Sequence, residues 1–283
     1  MTRIRLGWRL AKDSWAVLRA DRSLAIFPIL AFVSATIAFF ILIAPGVAFA
    51  AATDKADWIV IPFLIVAAYG ATFATIYFNV ALAGAAARSL EGHDTTLQDG
   101  LAVARQRRAQ IARWALVQTA FGVLIQVIHA VLGDSPVGRL VASILGAILG
   151  AAWAIATFFI VPVLALEGLE PRDALKRSVA LIRERWGEGF VGSASIGLAV
   201  FLVALLPLAA LVGLAELGIQ SAPALGAAAS VLFMLALIAV GVAGSALGVI
   251  FRVALYRYAT QGQTVSGFAD ADLAGAFAPG KRR

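Results

Sequence analysis

Few side chains in this sequence are both polar and set where chemistry would need them. Asn79, Gln118, Gln126 and His129 interrupt long apolar runs. A polar group inside an apolar span marks either a ligand path or a hydrogen bond between helices. His129 follows Gln126 by one turn and could act as a proton-relay or ligand residue. It also lies within a turn of Gly133, so placement at an interface competes. Asn79 is deeper than most polar residues here, and an interhelical hydrogen bond explains it more cheaply than substrate binding. His93, beside Asp94 in a polar loop, reads as an exposed loop histidine. The chain has no cysteine, which excludes disulfides and thiolate metal sites. It has no GxxxxGK[ST], HExxH or GxSxG motif. The expectation is a protein without catalytic, cofactor-binding or metal residues. The four polar side chains would at most line a cavity.

The elements that must hold them are apolar helices. The chain has 283 residues, 61% hydrophobic and 14% charged. A soluble domain carries about 25% charged residues, so this chain has too few to clothe a soluble surface. Its Ala- and Arg-rich composition points to a GC-rich bacterial genome. Six spans follow from the apolar runs, near 24–52, 58–87, 114–132, 137–166, 190–217 and 223–258. Pro45-Gly46 should bend or end the first, and Gly146, Gly150, Gly244 and Gly248 offer small faces for helix contact. The tail after Gly262 reads as loosely ordered.

Three basic amphipathic segments separate the span pairs. In residues 1–22, Ile4, Trp8, Ala11, Trp15 and Leu18 form one stripe, flanked by Arg5, Arg9, Lys12 and Arg19. A signal-peptide n-region with an A-x-A site at Ala48-Phe49-Ala50 is the alternative, but the apolar run is too long for it. The loop 88–113 carries Arg105, Arg107 and Arg108, and Thr95 and Gln98 have capping-box spacing. In residues 171–186, Leu175, Val179, Ile182 and Trp186 share one face. Lys176, Arg177, Arg183 and Arg185 lie off that face. Glu167, just before, could pair with Arg172 or Lys176 or cap a helix. These Arg and Lys residues are expected to meet anionic headgroups.

Charge also sets the orientation. Of 23 Lys and Arg, all but Lys55 and Arg139 fall at the termini or in the loops after the second and fourth spans. The positive-inside bias then puts both termini in the cytoplasm. The net charge of +7 is thus a membrane-surface signature and needs no nucleic acid. The segments at Ser14, Gly100 and Ser178 align with one another, each ahead of a span pair. Leu90-Glu91-Gly92 and Leu166-Glu167-Gly168 add a shared junction. A threefold repeat, 1–87, 95–166 and 173–258, is one reading, and generic amphipathic patterning is the other.

Thr157-Phe-Phe-Ile-Val-Pro162-Val-Leu-Ala-Leu-Glu167-Gly168, Asp173-Ala-Leu-Lys-Arg-Ser178 and Arg183-Glu-Arg-Trp-Gly187 resemble a bacterial family of six-span membrane proteins. That family is classed as a domain of unknown function. Ser14-Trp15, Leu18-Arg19-Ala-Asp21, Phe27-Pro28, Ala254-Leu-Tyr-Arg-Tyr-Ala259 and Gly267-Phe268 extend the likeness over nearly the whole chain. A looser likeness exists to the membrane domain attached to some glycerophosphodiester phosphodiesterases, whose catalytic domain has no counterpart here. The resemblance implies no activity and no site residues.

The expected architecture is therefore an all-α integral membrane protein of the bacterial plasma membrane. Residues 1–260 form six transmembrane helices in three hairpins, each preceded by a cytoplasmic amphipathic helix, and 261–283 form a cytoplasmic tail. The expected role is non-enzymatic, organising lipid or partner proteins at the inner leaflet. A transporter or lipid-handling protein with a central polar cavity is the alternative, and a membrane enzyme the third. Partners would be anionic headgroups, a second copy or another membrane protein.

Overall fold

The computed structural model describes residues 3–53, 56–186, 223–262 and residue 268. The expected span at 190–217 lies outside the described residues, as does most of the tail. Five helical stretches are long and apolar enough to cross a membrane: Ser23–Thr53, Trp58–Ser89, Arg108–Leu132, Pro136–Leu166 and Ser230–Gln261. The described residues are helical with short connections, and no strand occurs among them.

Helix α1 (Arg3–Ala20) ends at Asp21, whose side chain caps a short 3-10 turn, Arg22–Ala25, leading into α2 (Ile26–Thr53). α2 runs through Pro45, so of the expected bend or end the helix does not end there. Helix α3 (Ala56–Ser89) returns beside it, and glycines set their separation. A Cβ on Gly46 would stand 2.6 Å from the Phe63 ring, and one on Gly70 would meet the end of Leu42. Gly146 likewise lets the helix Pro136–Ala156 approach the helix Arg108–Leu132, since a Cβ there would stand 3.0 Å from the His129 ring. Gly150 has no neighbour within 4 Å among the described residues.

Helix α4 (Leu97–Gln106) is short and ends at Arg107, where the backbone leaves helical geometry before α5 (Arg108–Leu132). Its capping box is Thr96 with Asp99, one residue later than the spacing of Thr95 and Gln98 suggests. Thr95 instead donates to Asp21, and Ser23 donates to the Thr95 carbonyl. The loop before α4 is thereby tied to the turn after α1. Thr96 donates to Asp99 from its hydroxyl and its backbone N–H, and Arg88 lies 2.8 Å away. These hydrogen bonds, helped by the Arg88 charge, hold the Asp99 carboxyl below the ordinary carboxylate range.

The expected fourth span is two helices, α6 (Pro136–Ala156) and α7 (Ile160–Leu166). Pro162 explains the interruption at 157–159. It lacks an N–H, and its ring collides with the carbonyl four residues back, that of Phe158. The freed N–H of Phe159 donates to Ser178 Oγ at 3.1 Å on α8 (Pro171–Trp186). The break is thus also the joint that docks α8. Helix α9 (Pro223–Gln261) is unbroken and continues past the expected end near 258.

The core gathers at one end of the bundle. Phe27, Leu82, Ile111, Phe159, Leu164, Ile250 and Leu255 are fully buried, near the ends where Arg and Lys concentrate. Phe268 is buried in the same core. At the other end Phe40, Ile41, Val131, Val137 and Leu140 point outward.

Candidate functional site

The basic end is built from α1, α4 and α8. Their buried positions share one register: Ser14, Gly100 and Ser178 are buried, and so are Leu18, Ala104 and Ile182 four residues on. A small residue at the first position lets each helix approach a span closely. Ser14 Oγ donates to the Leu10 carbonyl, and Ser178 Oγ accepts from α7.

The headgroup-facing residues divide. Arg105, Arg108, Lys176 and Arg183 are exposed. The side chain of Arg185 lies outside the described residues. Arg107 and Arg177 do not face outward as expected. The Arg107 guanidinium lies over Gly168, which has φ +66 and no Cβ to exclude it. Arg177 Nε donates to Glu167 Oε1 at 3.0 Å. That hydrogen bond, reinforced by the carboxylate charge, raises the Arg177 pKa against a smaller opposing effect of burial. Arg172 and Lys176 are therefore not the partners of Glu167; Lys176 pairs with Asp173.

The Leu-Glu-Gly junctions act as two latches on α9. Both glycines adopt positive φ, at +83 for Gly92 and +66 for Gly168, as helix-terminating glycines do. Each preceding glutamate then reaches α9. Glu91 pairs with Arg257, and Glu167 accepts from the Tyr256 hydroxyl. Gly262 ends α9 with φ +67, so three long helical stretches terminate the same way.

One turn before Tyr256 on α9, Arg252 enters a cavity of about 420 Å³. Its lining includes Asn79 and Thr75 of α3, Gln118 and Trp114 of α5, and Thr157 at the α6–α7 break. Two of the four expected polar residues, Asn79 and Gln118, are thus brought together. Trp153 Nε1 donates to Gln118 Oε1 at 2.9 Å, and the Trp153 ring stacks on Trp114 and Phe121. Asn79 Oδ1 is buried without a partner, so the expected interhelical hydrogen bond is not made. Gln126 and His129 lie elsewhere. Gln126 is exposed on α5, and His129 Nδ1 lies 2.8 Å from the Ile125 carbonyl of its own helix. From Gln118 they are two and three turns farther along α5, at the end away from the cavity.

Arg252 is the residue that the sequence reading missed. Its count with the basic C-terminal segment hid the signal, which is an arginine with apolar residues on both sides. Phe251, Val253, Ala254 and Leu255 around it are all buried. The Arg252 guanidinium lies 5.5 Å from the centre of the Phe158 ring. Among the described residues no cluster of His, Asp and Glu is able to hold a metal ion.

Among the described residues, fold and site together define a helical protein with five helical stretches long and apolar enough for a membrane and a cavity between some of them that is lined in part by polar side chains. Residues 55–268 match a family described as Family of unknown function (DUF6159), and the chain belongs to that family. No curated protein matches the chain.

Proposed function

We propose a non-enzymatic multi-pass protein of the bacterial plasma membrane that holds an amphiphile at the inner leaflet. The cavity around Asn79, Gln118 and Arg252 carries this reading, because its polar lining is set among apolar helices. Depth supports it. The path from Ala56 to Asn79 along α3, or from Pro136 to Thr157 along α6, is roughly 32–35 Å at 1.5 Å per residue. A hydrocarbon core is about 30 Å thick. With the basic end in the cytoplasm, the cavity then sits at the inner headgroup level, with acyl chains beside it. The exposed Arg105, Arg108, Lys176 and Arg183 would add attraction for an anionic surface.

The absence of cysteine makes single-cysteine labelling clean. Thr75→Cys reports on the cavity, and Phe40→Cys on an outward apolar position far from it. Added amphiphile should slow maleimide labelling several-fold at position 75 and leave position 40 unchanged. No protection at position 75 by any amphiphile would remove the cavity from the function. For orientation, Asp54→Cys should label in intact cells with an impermeant maleimide, and Arg105→Cys only after permeabilisation. The reverse pattern would turn the protein over.

A further inference from the structure

We infer that Arg252 makes this cavity a phosphate-binding site. The inference rests on the proposed reading that the cavity takes a ligand, and it names what that ligand carries. Two other arginines near this end have carboxylate partners: Arg257 has Glu91, and Arg177 has Glu167. Arg252 has no carboxylate within ion-pair distance among the described residues. Its one directed contact is the face of Phe158. Among the described residues no acidic side chain lines the cavity, and Arg252 is the charged one. A cation at this depth without a counter-ion is costly, and an anion bound there would offset the cost.

The neighbouring groups sharpen the ligand class. The indole N–H of Trp153 can only donate, so its bond fixes the Gln118 oxygen and leaves the Gln118 NH₂ as a donor. Guanidinium and amide NH₂ together offer donors to one oxyanion, and arginine binds phosphate through two parallel N–H bonds. Asn79 Oδ1, buried and unpartnered, is an acceptor for a hydroxyl or amine of the same ligand. Phosphate in such a site comes either from a phospholipid headgroup or from a soluble phosphate ester.

The test uses full-length Thr75→Cys protein with Arg252, with Arg252→Gln and with Arg252→Lys. Protection from labelling is titrated with phosphatidylglycerol, with diacylglycerol of the same chains and with glycerol phosphate. Phosphatidylglycerol should protect, and Arg252→Gln should raise the half-protecting concentration about tenfold or more. Arg252→Lys should lie between, since it keeps the charge and loses the fork. Native mass spectrometry of the cysteine-free protein should show retained phospholipid that Arg252→Gln releases. Protection by glycerol phosphate with the same arginine dependence supports the phosphate site and assigns it to a soluble ester. Equal protection by phosphatidylglycerol and diacylglycerol, unchanged in both arginine variants, overturns the inference and leaves the cavity reading standing. Absence of protection by any of the three overturns both.

Discussion

Gly100→Val should unseat α4 from the bundle and lower stability by about 1–3 kcal/mol, the range of an overpacked core. A Cβ at Gly100 would stand 2.5 Å from Phe27 Cζ and 2.6 Å from the Ala81 carbonyl oxygen. Phe27 is fully buried, so its ring has nowhere to swing, and the carbonyl belongs to the backbone of α3. Gly84, facing Val103 across the same contact, leaves no slack on the other side. Gly100→Ala should also destabilise, although Ala favours a helix over Gly by about 1 kcal/mol. That opposite sign is the diagnostic. Gly122→Ala, on α5 with nothing within 4 Å of its Cβ position among the described residues, should be neutral or stabilising. Thermal unfolding of the solubilised protein measures all three, and a Gly100→Val protein as stable as wild type would show that α4 does not dock there.

The second large effect should come from Glu167→Ala, which removes the acceptor shared by Arg177 and Tyr256. Hydrogen bonds to a charged group contribute about 1.5–3 kcal/mol each. The Arg177 side chain is 38% exposed, so solvent screens its share. A total loss of about 2 kcal/mol is expected, most of it through Tyr256. A double-mutant cycle with Tyr256→Phe isolates that part, and the two changes should be coupled by about 1 kcal/mol. Additive losses would mean that no latch exists. The Arg177 pKa is raised, so the share that depends on its charge is present at neutral pH and is lost as pH rises through the raised value. Tyr256 and Arg252 are one turn apart on the same face of α9, so loss of the latch should also weaken ligand protection at Thr75.

The sequence by itself determined the elements and their chemistry of solvation. Apolar runs longer than 20 residues, few charges and a one-sided distribution of Arg and Lys are local or additive properties, readable without knowing any contact. The helix at 171–186 and the like burial of Ser14, Gly100 and Ser178 were legible because a helical period repeats within a few residues. Asn79 and Gln118 were legible as polar residues in apolar company. Tertiary structure alone decided which polar residues meet. Gln126 stands about two turns from Gln118 on α5, yet only Gln118 reaches the cavity, because only the Gln118 end of α5 lines it together with α3, α9 and the α6–α7 break. Arg177 and Glu167 found each other across a turn, and Tyr256 joined them from 89 residues away. No spacing rule connects residues that far apart. Arg252 shows the limit most plainly: in sequence it is one more positive charge near a basic terminus. What makes it a binding group is the space left around it by three other helical segments, and that depends on how long helices cross rather than on what each one is made of.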